Sequence, residues 1–552
     1  MPTLSWIGKE KVINHHRDVP FKILEHKYGF SADKGESEEP VNSGNKIIHG
    51  DNLEALKSLL PEYEGKIKCI YIDPPYNTGN ENWVYNDNVN HPKIRKWLET
   101  TLKAKENGKE AAIGIDDLAR HDKWLCMMYP RLQLLHKLLA KEGAIFISVD
   151  DNEQANLKLI CDEIFGSGNF ITDLIWRSAD SSNNDAKQFS VDFNHTLIYS
   201  KQPSWQPKKL ERSEDTNAHY KNPDNDPRGP WFSGNVSSPN PRINLTFDIV
   251  SSNGTIIKPP KNGWRWSKER IEEMIENNEI IFSPDQTRII KKTFLKDQSG
   301  IVPSNIWWDV EDSGHNRNAK YELMKIFPEL KTSEVFKTPK PTKFINKILK
   351  VSLGQGDIIL DSFAGSGTTA HAVLNLNKLD GGTRKFILVE MEDYADTITA
   401  ERVKRVIKGY ADKEGTGGSF DYFVLGKPLF IGENREFLNE EVGTDKIREY
   451  IWFSETRTNY DVRFTIDDLN RKSKIVNPKS DNPYFLGKKD DTAYYFIYEK
   501  EILTTLDYDL LSTIKSKAGQ YVIYADNCLL AKDFMMKHNI IFKKIPRDIT
   551  RF

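Results

Sequence analysis

Cys69-Ile70-Tyr71-Ile72-Asp73-Pro74-Pro75-Tyr76-Asn77-Thr78-Gly79 is the stretch whose reading decides the fold. An apolar, β-branched run that stops at an acid and two prolines predicts a buried parallel strand ending in a rigid loop. Prolines fix φ and cannot donate, so the carbonyls beside them are held in place and left to accept. An acid, a fixed carbonyl and an aromatic ring at a strand's carboxyl end can accept from an amino group and stack on the flat ring that bears it. For Asp73–Tyr76 alone a plainer reading stands beside this one, in which Pro-Pro-Tyr merely stops an edge strand.

Working outward, Ile47-Ile48-His49-Gly50-Asp51-Asn52 reads as a strand running into a helix through Leu53, Leu56, Leu59 and Leu60. Downstream, Asn77 to about Asp122 is polar, carries Trp83, Tyr85 and Trp97, and predicts a lid over a bound group. Leu125, Met128, Leu132, Leu135 and Leu139 then fall on one helical face, ending near Gly143, and Ala144–Val149 reads as the next strand. A further strand is expected at His195–Lys201. The β-α-β-α order predicts a parallel sheet covered by helices.

From about 202 to 310 the pattern changes to Asn, Pro, Gly, Trp and mixed charge, with a hairpin signal at Asn253-Gly254. An insertion of this kind between two α/β halves is a candidate recognition domain. Arg228, Lys258, Lys261, Arg265, Lys268 and Arg270 are its candidate phosphate and guanine contacts, whereas Trp231, Trp264 and Trp266 are expected in a small core of its own.

Ile358-Ile359-Leu360-Asp361-Ser362-Phe363-Ala364-Gly365-Ser366-Gly367-Thr368-Thr369-Ala370 is a second hub, a strand followed by a glycine-rich turn. The strand Phe386–Glu390 ends at an acid suited to a ribose diol. Gly365-x-Gly367-x-x-Ala370 with Glu390 also fits a dinucleotide fingerprint, so a nicotinamide or flavin reading is open for this hub alone. No lysine follows the glycines, which argues against a P-loop. The pairing with Asp73–Tyr76 decides, because a dehydrogenase has no use for an amino-group acceptor cluster and a stacking tyrosine.

Asp73-Pro74-Pro75-Tyr76 resembles the catalytic motif of DNA amino-methyltransferases, which alkylate adenine N6 or cytosine N4. Asp361-x-Phe363-x-Gly365-x-Gly367-Thr368-Thr369 resembles their S-adenosylmethionine loop. The order, with the catalytic motif first, then an insertion, then the cofactor loop, resembles the circularly permuted β class. Within that class the chain looks most like modification (Mod) subunits of type III restriction-modification systems. The resemblance implies a Rossmann-like, S-adenosylmethionine-dependent α/β core that acts on adenine N6 in duplex DNA by flipping the base. Asp73, Pro74, Pro75 and Tyr76 are implied as catalytic. Asp51, Asp361, Phe363, Gly365, Gly367, Thr368 and Glu390 are implied as cofactor contacts, with Thr338 and Lys340 on the methionine side. For Asp51 a simple helix cap is an equal alternative. Adenine rather than cytosine follows from Asp at 73, since cytosine-N4 enzymes more often resemble Ser-Pro-Pro-Tyr.

The 552 residues are 38% hydrophobic with a net charge of −2, so DNA contacts must come from local patches. Four scattered cysteines and the absence of a signal-like start point to the cytoplasm, and no cluster has metal-ligand spacing. The expected organisation is an arm and linker over 1–45, a catalytic half over 46–201, the insertion over 202–310, a cofactor half over 311–412 and a small α/β domain over 419–552. That last domain is either a docking surface or a cap on the core. The family resemblance implies a homodimer and a helicase-nuclease restriction subunit as partners; a methyltransferase without such a subunit is the alternative.

Overall fold

The computed structural model describes residues 3–78, 120–331, 334, 336, 338–432, 435–458 and 482–549, with the backbone alone at 103–106, 109–112 and 475–476. The chain divides into two compact units, Met1–Gln206 with Ser304–Phe552, and Pro207–Pro303. The lid expected over 77–122 falls largely outside the described residues.

The first unit is built on an eleven-stranded sheet. Its strands are β1 (Lys22–Ser31), β2 (Gly35–Ser37), β3 (Lys46–His49), β4 (Ile67–Ile72), β5 (Leu139–Val149), β6 (Phe170–Arg177), β7 (Phe193–Ser200), β8 (Ile306–Trp307), β9 (Ile358–Asp361), β10 (Lys385–Glu390) and β11 (Ser419–Pro428). They lie in the order β8-β6-β7-β5-β4-β9-β10-β3-β11-β1-β2. From β5 to β11 through the centre every neighbouring pair is parallel. Central strands read as unbroken apolar runs because both faces are covered, and Cys69 through Ile72 are all buried.

Helix α1 (Asn52–Tyr63) follows β3; β4 leads through α2 (Arg120–Leu138) to β5 on one side, whereas β9, preceded by α3 (Thr342–Ser352), leads through α4 (Thr368–Asp380) to β10 on the other. The junction of β4 and β9 is therefore the point where the winding reverses, and ligands of open α/β sheets bind at the carboxyl edge there. Parallel pairing of Ile359 with Cys69 and of Leu360 with Ile70 brings both hubs out at that edge.

Two expected boundaries are corrected. Residues 1–45 are not an arm: β1 pairs with β11, Val12 and Val19 are fully or almost fully buried, and Trp6 donates from Nε1 to Cys126 Sγ at 3.3 Å. Likewise the domain expected to begin at 419 starts later, because β11 completes the main sheet between β3 and β1. The glycines just before it, between 415 and 418, make the turn into that strand, with φ of 70° at Gly417 and 101° at Gly418. Beyond it a smaller sheet runs through Phe485–Lys489, Thr492–Phe496, Gln520–Ala525 and Ile540–Lys544, over a core that includes Ile447, Trp452, Phe496 and Tyr524.

The second unit has a three-stranded antiparallel sheet, Trp231–Gly234, Ile289–Phe294 and Ile280–Phe282, and one longer helix, Lys268–Glu276. The Asn253-Gly254 turn does join a hairpin, pairing Ile249 with Ile257. Trp264 sits in the core with Ile249, Ile271 and Ile289, donating to the Phe247 carbonyl at 2.7 Å. Trp231 is buried too, donating to Asp224 at 2.8 Å.

Candidate active site

Where β4 ends, the Asp73 carboxylate meets two donors. Tyr76 donates its hydroxyl to Oδ1 at 2.9 Å, and Lys340 donates from Nζ to Oδ2 at 2.5 Å. The Lys340 ammonium also lies 5.0 Å from the Tyr76 ring centroid. The lysine expected beside a cofactor thus makes its contact with the motif acid, a charge-assisted bond between largely buried groups.

The two prolines differ. Trp124 Nε1 donates to the Pro75 carbonyl at 2.6 Å and fixes the loop from behind. Among the described residues none donates to the carbonyl of Pro74, a residue that lines the cleft beside Asp73 and Tyr76. Asn77 follows at a left-handed φ of 61° with its side chain buried. Its amide donates to Glu153, whose other oxygen accepts from Asn156 at 2.8 Å. His121 Nδ1 is 2.6 Å from Glu153, so the strand end is tied to α2 and to the turn after β5.

The glycine hub rises beside it. Asp361 is 2% exposed, accepting from the Phe363 amide at 3.1 Å and the Thr369 hydroxyl at 2.6 Å. Burial pushes its carboxyl up to about 7 against those two bonds. Glu390 is 3% exposed and accepts from the amides of Gly365 at 2.7 Å and Glu392 at 3.0 Å; burial pushes it up to about 8. Gly365 and Gly367 have φ of 52° and 78°, which a side chain would oppose. A Cβ on Gly367 would come 2.9 Å from the Thr399 carbonyl.

One cleft gathers Asp73, Pro74 and Tyr76 with Thr338, Lys340, Asp361, Phe363, Gly365 and Thr368. Three expected cofactor contacts are not on its wall. Asp51 is the N-cap of α1, accepting from the amides of Leu53 at 2.9 Å and Glu54 at 3.1 Å, with Arg131 at 3.6 Å. Gly367 packs against Thr399, and Glu390 acts on the loop's backbone from behind.

Two supports were missed in the sequence. Asn52 accepts from buried Arg131 at 2.5 Å and donates to the Ser362 carbonyl at 3.2 Å, linking α1 to the glycine loop. Arg402 lies on the buried face of the helix Glu401–Lys408 and is 1% exposed. It donates to Ser366 Oγ at 3.0 Å, Thr368 Oγ1 at 2.8 Å and His371 Nδ1 at 3.1 Å. Its signal is an arginine set among the apolar positions Ile398, Val403, Val406 and Ile407, a segment the sequence analysis leaves without a reading.

In the second unit the proposed DNA contacts separate into two kinds. Arg228 is a structural residue. Its guanidinium is bidentate on buried Asp226 at 2.9 and 2.7 Å, bonds the carbonyls of Asn277 and Asn278, and covers Phe294 at 4.5 Å. Four of its five N–H bonds are made within the fold, which gives it a structural role besides its expected one at DNA. Lys258, Lys261, Arg265, Lys268 and Arg270 are all exposed.

A family model described as a DNA methylase matches residues 67–401. The Mod subunit of the type III restriction-modification enzyme StyLTI from Salmonella typhimurium is 35% identical over 387 residues, 67% of this chain and 58% of that one. The EcoP15I Mod subunit of Escherichia coli is 30% identical over 442 residues, 71% of this chain and 64% of that one. The type II methyltransferase M.KpnI of Klebsiella pneumoniae is 32% identical over 385 residues, 66% of this chain and 84% of that one. The chain therefore spans about 58–64% of the length of the two Mod subunits. With both hubs inside the matched region and converging on one cleft, the chain belongs to the DNA methylase family.

Proposed function

We propose that the protein transfers a methyl group from S-adenosylmethionine to adenine N6 in duplex DNA. The observation that carries this reading is the shared cleft, where an amino-group acceptor pair and a glycine cradle meet at the carboxyl ends of adjacent parallel strands. The residues present fit the cofactor. A Cβ on Gly365 would come 3.1 Å from the Phe336 ring, so bare backbone is needed where a ligand passes. Asp361 offers an acid to an ammonium, Lys340 a cation to a carboxylate, and Phe363 a ring to a purine. Glu390 serves by fixing the Gly365 amide. When bound, the cofactor supplies an electrophilic methyl on a sulfonium.

The chain's own residues prepare the acceptor nitrogen. A target base must leave the stack to reach a cleft of this kind. Asp73 and the Pro74 carbonyl accept its two N–H bonds, which turns the lone pair out of the ring plane, while Tyr76 offers a face to the ring. In the structure Tyr76 and Lys340 each take one oxygen of Asp73, and each oxygen keeps a second lone pair for an incoming amino group. Positioning contributes most to the rate, with no covalent enzyme intermediate.

Mod subunits are named as parts of type III restriction-modification enzymes. By that likeness the chain works with a restriction subunit; as further parts of the proposal, it acts with a second copy and the 207–303 unit reads the target. The test is to incubate the protein with labelled cofactor and duplex DNA and to identify product nucleosides by mass spectrometry. N6-methyladenine is expected. N4-methylcytosine overturns the choice of base, and unmodified DNA overturns the reading itself.

A further inference from the structure

The 207–303 unit contains a surface that is basic and free of acids. Two segments, Asn235–Ile243 and Lys258–Arg265, are laced by backbone bonds: Ser238 to the Gly263 carbonyl, Arg242 to that of Asn262, and Arg265 to that of Val236, each at 3.0 Å. Gly263 makes the approach possible, since a Cβ there would lie 2.7 Å from the Arg242 carbonyl at a φ of 80°. The segments carry Arg242, Lys258, Lys261 and Arg265 and no acidic residue.

Lys258 is paired with Asp248 at 2.7 Å. Among the described residues Arg242, Lys261 and Arg265 have no carboxylate partner; Arg265 only lies over Trp266 at 5.7 Å. Ile243, next to Arg242, is 90% exposed. The helix Lys268–Glu276 is the opposite case. Its Lys268 and Arg270 are outnumbered by Glu269, Glu272, Glu273 and Glu276, and Arg270 is paired with Glu273 at 2.6 Å. A phosphate backbone is repelled by such a face and attracted by the laced loops.

We propose that the double loop Asn235–Ile243 with Lys258–Arg265 is the surface by which this unit docks on duplex DNA. Arg242, Lys261 and Arg265 neutralise phosphates, and Ile243 supplies apolar contact to a base edge such as a thymine methyl. The proposal rests on the reading of the chain as a DNA methyltransferase. It places binding away from Arg228 and away from the helix at 268–276.

The test compares two variants of the full chain by fluorescence anisotropy on a labelled random-sequence duplex over a range of salt. One replaces Arg242, Lys261 and Arg265 with Gln, and the other replaces Lys268 and Arg270 with Gln. For the first, the log–log salt slope should fall by about 2 to 3 and affinity at 0.1 M salt by on the order of a hundredfold. The second should bind within about threefold of the unaltered chain, and cofactor affinity by calorimetry should be unchanged in both. A triple variant with the original slope overturns the proposal while leaving the methyltransferase reading intact, as does a larger loss in the helix variant. An unaltered chain that binds no DNA overturns both together.

Discussion

In the cleft of the main sheet, the acid singled out by the motif, Asp73, lines the open site with one donor on each oxygen. In the 207–303 unit the arginine singled out by its surroundings, Arg228, is locked on a buried acid and two carbonyls. Both side chains are charged and both are well bonded. The difference lies in what holds the partner. Asp73 follows a central strand paired in parallel on both sides, which carries its carboxylate to the sheet's edge. Arg228 closes a small domain with little core, where charge pairs such as Asp226 with Lys292, at 2.8 Å, do part of the work of apolar packing. A charge in a small inserted unit is therefore weaker evidence of function than the same charge at the end of a buried strand.

The sharpest way to break this comparison is at the two hubs. Asp73→Ala should lower methyl transfer by roughly a thousandfold or more, while cofactor affinity measured by calorimetry stays within about threefold. Gly365→Val should do the reverse, abolishing cofactor binding through the Phe336 contact and the left-handed backbone. Loss of cofactor binding in Asp73→Ala would show that the hubs do not divide the labour.

A smaller effect is expected at Arg228. Arg228→Ala leaves the buried Asp226–Lys292 pair unsupported and should destabilise the 207–303 unit by about 2–3 kcal/mol, read by limited proteolysis of the full chain. Unchanged protease resistance with weakened DNA affinity would return Arg228 to the binding surface.

The smallest effect concerns pH. Asp361 and Glu390 hold their protons to about 7 and about 8 in the ligand-free fold, well above ordinary carboxyl values. The stability they confer is full below about pH 4 and is lost as pH rises through those folded values. Tm should drift down by a few degrees between pH 6 and 9, and Glu390→Gln should flatten the drift. Over the same range a cationic ligand should bind more tightly as Asp361 ionises. A Tm that is flat in the parent chain would remove burial as the dominant influence on these acids.

The central sheet and the cleft were legible because their signals are local. Apolar strands that stop at Asp73 and at Asp361 announce their own ends, and left-handed turns select glycine at 365 and 367. What escaped was carried by distant partners. Strand β1 alternates too loosely to be recognised without β11 beside it. Asp51 is followed by a helix and so reads equally as a cap or a ligand, and its bonds to the Leu53 and Glu54 amides show the cap. Lys340 lies 267 residues from Asp73, and no spacing rule connects them.

The pairing of β1 with β11 also has a consequence in time. Ser31 meets Ser419, so a ribosome must add 388 residues after the first strand before its partner exists. At about 5–20 residues per second, that strand waits roughly 20 to 80 s with its backbone edge unsatisfied. The nascent chain thus carries an open, aggregation-prone edge for that whole interval, and the sheet closes only after the cofactor loop has emerged.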